Sequence, residues 1–418
     1  MHREGDSERR LTRRQFHKIA AAFGFTAAFG GLVGCSSGSQ QATATTKPAP
    51  APTTAAVQAK AAEQAPKEAA KAAAAEFKLN FAIEGVPNRW PNGPVAKCTL
   101  WNLGSWEFKE NVEKRTNGRV QVIMHEGGSL GGQLELGQKT QQGVIQAGNF
   151  TTQNEAAYIP VWNVIDFPYV QGPIESVWKL IYSKEFNDVV RKASSDQGCF
   201  PVAVFPQLRK IAVRKNLPTE IRKPEQMSGL KIRVTGSRLE QEAFKILPAN
   251  PTPLAWGEVY TAMKEGAIDG LHVGAASLAD ANIHEVCGQL IDSDFMYNWD
   301  ATWLNTRWFH SLPADVQDQV MEGAYDTQVW IHKVWNDLHD KQVGSTKNAA
   351  ADSIWKKSGA NLVFLTDAER KEWEQYMSFE RNKAQLQPLV EKFGKKEYEL
   401  TQSIVASKTA PEPKKWWK

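Results

Sequence analysis

The chain has 418 residues, 42% of them hydrophobic and 23% charged, and a formal net charge of +4. That length allows two lobes, each with its own core, and apart from 15 Trp the composition is that of an ordinary folded chain. The charge is too small to argue for or against a nucleic-acid partner, but no RNA-recognition, zinc-finger or basic-helix pattern appears, so none is expected.

Thr12-Arg13-Arg14-Gln15-Phe16-His17-Lys18 sets paired arginines ahead of an apolar stretch, residues 19–33, rich in Ala, Gly and Phe. It is shorter than the roughly 20 apolar residues a membrane span needs. Leu32-Val33-Gly34-Cys35 closes it. A basic start, a short apolar region and small residues at the end make an export signal over residues 1–34. The pattern resembles a twin-arginine signal ending in a lipobox, which implies cleavage before Cys35 and a lipid on its sulfur. Residues 35–76 then form a tether. They pass through Lys47-Pro48-Ala49-Pro50-Ala51-Pro52 into Ala, Lys and Glu, with too little apolar bulk for a core. A flexible tether of that length spans on the order of 35 Å. Cys98, Cys199 and Cys287 remain. Their spacing fits no zinc motif, and their apolar neighbours favour buried thiols, with one disulfide plus one free thiol left open.

Folded sequence begins at Phe77. Residues 77–83 alternate apolar and polar side chains, the period of a half-buried strand. Residues 101–113 carry Trp101, Trp106, Phe108 and Val112 at helical spacing, and Asn117-Gly118 turns the chain into a strand over 119–124. A helix over 134–142 and a strand over 144–150 follow. Strands over 230–234 and 268–273 alternate with helices over 239–246 and 258–265, the last closed by Gly266. This alternation predicts an α/β fold with largely parallel sheets. From Pro313 the pattern is helical for about 30 residues, with Gly344 the first break, a length of roughly 45 Å. Such a helix exceeds one lobe and should span both.

Pro224-Glu225-Gln226-Met227-Ser228-Gly229-Leu230-Lys231-Ile232-Arg233-Val234 is followed by Pro251-Thr252-Pro253-Leu254-Ala255-Trp256-Gly257-Glu258-Val259-Tyr260. Next come Lys264-Glu265-Gly266-Ala267-Ile268-Asp269-Gly270 and Leu312-Pro313-Ala314-Asp315. Ser129-Leu130-Gly131 and Phe167-Pro168-Tyr169-Val170 lie upstream. In this order the segments resemble the DctP-type solute-binding proteins of TRAP transporters, from Phe77 to about residue 400. Gln226 departs from an Asp in that pattern. The resemblance implies a two-lobed, periplasmic-binding-protein-like fold around a cleft, and no enzyme. Its lobes would be residues 77–206 plus about 299–338, and 207–298 plus about 339–418. It also implies a small organic acid as ligand, delivered to small and large membrane permease subunits.

On this resemblance Arg233 clamps the ligand carboxylate. A guanidinium offers a planar fork of donors, and a strand end is where open α/β sheets bind ligands. Arg209 is the second arginine, with Arg214 and Arg238 as rivals, and Trp256 packs on the ligand body. Thr151, Gln153 and Asn154 belong to a first-lobe loop expected to touch it. The family's Asn after the Asp-Gly strand is replaced by Val273, with His272 beside it as a candidate contact. The absent Asn and the many Trp point towards a bulky, aromatic or keto acid rather than a C4-dicarboxylate. No cofactor is expected, although a metal beside the acid, as some family members hold, is left open. No nucleophile elbow, His-Glu-x-x-His or phosphate loop occurs. The alternatives are the binding lipoprotein of an ABC importer and an exported hydrolase.

Overall fold

The computed structural model describes residues 75–85, 104–217, 219–408, 415 and 417. The export signal, Cys35, Cys98, Trp101 and most of the tether lie outside the described residues. The first half runs β1 (Phe77–Ile83), α1 (Ser105–Arg115), β2 (Val120–His125), α2 (Gln133–Gln142), β3 (Ala147–Thr151), α3 (Ile174–Tyr182), α4 (Lys184–Asp196) and β4 (Cys199–Gln207). The second runs β5 (Arg209–Arg214), β6 (Lys231–Val234), α5 (Arg238–Ile246), β7 (Asn250–Pro253), α6 (Val259–Glu265), β8 (Gly270–Gly274), α7 (Ala275–Asp280), β9 (Cys287–Asp292) and β10 (Asn298–Asn305). After β10 come α8 (Ala314–Asp337), β11 (Asn361–Phe364), α9 (Asp367–Met377), α10 (Lys383–Phe393) and α11 (Lys395–Ala406).

Two sheets result, ordered β2-β1-β3-β10-β4 and β11-β9-β5-β8-β6-β7. They are mixed rather than largely parallel. β1 pairs parallel with β2 and β3, while β10 runs antiparallel to β3 and β4. In the second sheet β5 runs antiparallel to β8 and β9. The physical reason is the crossing of the chain. It leaves the first sheet at Gln207, enters the second at Arg209 and returns at Asn298, so β10 joins a sheet built by earlier strands.

Sequence periodicity placed most elements within a few residues. The strand expected over 144–150 begins at Ala147, because Gly143 caps α2 in the left-handed region (φ 79°) and the next residues complete the turn. Val144 is left 61% exposed. β4 and β10 are buried at every position, β10 because it lies inside the sheet and β4, at the sheet edge, because α8 and α4 pack against it. Trp299 and Trp303 of β10 pack edge-on to Trp162 at 5.9 and 5.6 Å, and Trp303 stacks on Phe150 at 5.1 Å. Their indole N–H groups donate to Gln171 Oε1 and the Phe150 carbonyl, both at 2.9 Å, which removes the penalty for burying them.

The long helix is 24 residues of α8 continued by a π-helical segment, Leu338–Val343. Gly344 ends it at φ 77°, where a Cβ would stand 2.0 Å from Ser353 Oγ. α8 packs on α1 and β4 of the first sheet, and the π segment reaches α7 beside the second. Trp335 Nε1 donates to the Pro206 carbonyl at 3.0 Å, fixing the helix beside the crossing point. Cys199 and Cys287 are buried free thiols.

Candidate ligand cleft

A cavity of about 510 Å³ opens where the carboxyl ends of both sheets meet the crossing strands. From the first sheet come Glu84, Gln133, Thr151, Gln153 and Asn154. The second supplies Arg233, Thr235, Leu254, Trp256 and Val273, and the crossings supply Gln207, Arg209 and Asn298. Of the expected ligand contacts, Arg233, Arg209, Trp256, Thr151, Gln153 and Asn154 are on this wall and His272 is not.

Arg233 sits near the end of β6, 6% exposed. Its Nε donates to the Leu254 carbonyl at 3.0 Å, and its guanidinium carbon lies 5.6 Å from the centre of the Trp256 ring. Among the described residues, no carboxylate is within ion-pair distance and no protein acceptor takes its Nη hydrogens. Burial therefore lowers its pKa to about 10, with nearby Arg209 adding to the effect and Glu240 opposing it.

Arg209 is in the opposite condition. It is 1% exposed and wholly engaged with protein. Nε donates to His272 Nδ1 at 3.0 Å and Nη1 to Gln153 Oε1 at 2.5 Å, while Nη2 donates to Glu240 Oε1 and the His272 carbonyl. Glu240 also accepts from the backbone N–H and hydroxyl of Thr235, both at 2.6 Å. Burial alone would raise the Glu240 pKa, but the Arg209 charge and these bonds hold it at about 2. The Arg209–Glu240 pair is thus neutral as a unit.

His272 is fully buried behind Arg209 rather than at the cavity. Accepting from Arg209 through Nδ1 puts its proton on Nε2. Burial and the Arg209 charge depress its pKa to about 3, so it is neutral and orients the guanidinium. Strand alternation explains the exchange: Val273 faces the cavity, so its neighbour must face the lobe. Arg214 pairs with Asp269 and Arg238 with Glu242, and neither lines the cavity.

Thr151 caps the turn Thr152–Glu155, accepting from Asn154 N at 3.3 Å. The Asn154 amide donates to Gln133 Oε1 at 2.8 Å and to Thr151 Oγ1 at 3.0 Å. Gly274 lets the chain pass Gln207, since a Cβ there would stand 1.8 Å from Gln207 Oε1. Gln207 in turn bonds Asp300 and Ser277.

Glu84 on the cavity wall, and Glu240 and Asp166 buried away from it, escaped the sequence reading. Glu84 directly follows β1, and its position at a strand's carboxyl end was the available signal. Burial raises its pKa, against hydrogen bonds from Gln133 and the Arg233 charge. Glu240 lay hidden in an ordinary helix start, where Ser237 Oγ accepts from its N–H at 3.2 Å. Asp166, fully buried with neither carboxylate oxygen bonded, had no sequence signal, and burial raises its pKa well above normal. A neighbouring chamber of about 620 Å³ shares Glu84, Gly132, Trp256 and Gly257 with the cavity and continues to Tyr260 and Asp280. Among the described residues, no group of three or more His, Cys, Asp or Glu could hold a metal ion, and no helix is long and apolar enough to cross a membrane.

Residues 95–385 match the DctP model, bacterial extracellular solute-binding protein, family 7. The chain is 24% identical to the C4-dicarboxylate-binding periplasmic protein DctP of Rhodobacter capsulatus, covering 68% of this chain and 82% of that one. It is 26% identical to the ectoine-binding periplasmic protein TeaA of Halomonas elongata, covering 72% and 83%. A TRAP periplasmic solute-binding protein from Ralstonia eutropha H16, solved with bound (S)-2-acetolactate, superposes with a TM-score of 0.66 at 22% identity, covering 79% of this chain and 98% of that one. The ABC-importer and hydrolase readings lose their support. The chain belongs to the DctP family, bacterial extracellular solute-binding protein family 7, and is a solute-binding protein of the TRAP type rather than an enzyme.

Proposed function

We propose that the cleft captures a small organic acid carrying one carboxylate, anchored by Arg233, and that the loaded receptor delivers it to small and large TRAP permease subunits. The observation that carries this is the charge balance of the wall. Arg209 is neutralised by Glu240, whereas Arg233 is a buried cation with no carboxylate partner among the described residues. A desolvated guanidinium with open donors favours a ligand that brings both the missing charge and two oxygens. A single uncompensated cation, with Glu84 and Glu135 also on the wall, favours a monocarboxylate over a dicarboxylate.

In this reading Trp256 packs on the ligand body, and Thr151, Gln153 and Asn154 contribute polar contacts from the first lobe. Arg209 supports the carboxylate and His272 holds Arg209 in place. Glu84 accepts from hydroxyl or amine groups at the ligand's far end. The ligands named for the relatives, acetolactate, C4-dicarboxylate and ectoine, fit the broad class of small carboxylates. Residues 77–206 plus about 299–338 form one lobe and 207–298 plus about 339–418 the other. The lobes close on the acid, and the permease reads the closed form. Export through the twin-arginine signal and lipid on Cys35 tether the receptor outside the cytoplasm. A thermal-shift screen of hydroxy, keto and aromatic monocarboxylates against dicarboxylates tests the reading. A ligand at 100 times its Kd stabilises by about 2.7 kcal/mol. Stabilisation by dicarboxylates alone would overturn the monocarboxylate assignment.

A further inference from the structure

The crossing strands have a second face. Gln207 and Arg209 line the cleft, and Leu208 between them does not. Asn298 lines the cleft, and Tyr297 before it does not. Leu208 and Tyr297 instead line a separate, partly open cavity of about 680 Å³, bordered by the C-terminal helices α9 and α11. The two residues lie in the extended connections next to the strands, where side chains alternate sides, so this cavity lies behind the crossing segments, the hinge of the proposed closure, and on the other side from the cleft.

Its walls are aromatic, with Tyr169, Tyr297, Phe379 and Tyr398 all contributing. Tyr297 is 4% exposed, and among the described residues its hydroxyl has no hydrogen-bond partner. Burial first, and the surrounding carboxylates next, push the Tyr169 and Tyr297 phenols upward, so their rings stay neutral. The charges are unequal. Arg370 is held by Asp294 at 3.0 Å and Asp292 at 3.5 Å, and Lys210 bonds the same two carboxylates, a group balanced within itself. Glu175 and Glu374 remain on the wall with no cationic partner among the described residues. An aromatic chamber with a net acidic rim and an open buried hydroxyl suits a cation with an apolar body. A compact metal ion would want clustered oxygen ligands instead.

We propose that this hinge-side cavity binds a small organic cation, an alkylammonium or quaternary ammonium, between the tyrosine faces, with Glu175 and Glu374 supplying the opposing charge. Calorimetry and thermal shift on the purified chain test it, with choline chloride and 1,4-diaminobutane dihydrochloride as probes and sodium chloride at matched ionic strength as control. Saturable binding of at least one probe is expected, weakened about tenfold or more in the Glu175→Gln/Glu374→Gln double variant. Both acids are exposed, so the double variant should fold, and Tyr297→Phe gives a second, milder probe of the same wall. Arg233→Ala should leave cation binding intact, so failure of the cleft assignment and failure of this one are told apart. No saturable binding by either probe, or wild-type affinity in the double variant, would overturn the proposal.

Discussion

Replacing Arg233 with alanine should weaken acid binding strongly while leaving the unligated protein as stable as before, or more so. In the wild type, burial depresses the Arg233 pKa from 12.5 to about 10, which sets the burden of holding this charge at about 3 kcal/mol. Because the folded pKa still lies far above neutrality, that burden persists at every pH below about 10. Alanine removes it, at some loss of packing against Trp256. In the complex the same change strands the ligand carboxylate without its partner. Losing one member of a buried, hydrogen-bonded charge pair costs about 2–5 kcal/mol, or a weakening of roughly 30-fold to several thousand-fold. Arg233→Lys should also bind poorly, because an ammonium cannot make the two-pronged contact. Arg209→Ala should behave differently, leaving Glu240 buried and unpaired and lowering folding stability by about 3–5 kcal/mol. Calorimetry with an acid found by the screen, paired with denaturant melts of both variants, separates the two roles. A folded Arg233→Ala protein with unchanged affinity would refute the anchor assignment. An Arg209→Ala protein as stable as wild type would refute the charge balance from which it was drawn.

Asp166→Asn should stabilise the protein at pH 7 and have little effect near pH 3. Burial favours the protonated acid in the fold more than in the unfolded chain, so its cost to stability grows as pH rises above the ordinary value of 3.8. Melts across that range check the sign, and equal effects at both ends would contradict it. Cys35→Ala should move the exported protein from the membrane to the soluble fraction, and palmitate labelling of that variant would sink the lipobox reading. Saturating acid should shrink the radius of gyration in solution scattering, whereas an unchanged curve together with unchanged hydrogen exchange in residues 207–209 would argue against closure.

The motifs determined the family, and local periodicity determined most of the elements. Alternation in Phe77–Ile83, helical spacing up to Glu265 with Gly266 behind it, and the long run from Pro313 to Gly344 are short-range signals, each written within the residues that fold. Arg233 and Trp256 were legible for the same reason, since each lies in a recognisable segment. Charge balance was not legible. Arg209 and Arg233 are the same residue type on neighbouring strands of the sequence, yet only the fold brings Glu240 to one and leaves the other open. Nor could sequence say that Val273 and not His272 meets the cleft, because a one-residue change of strand register exchanges the faces. Asp166 became conspicuous only through burial, which depends on what packs around it from distant parts of the chain. The mixed sheets likewise follow from the chain crossing twice between lobes, a long-range event with no local period to announce it.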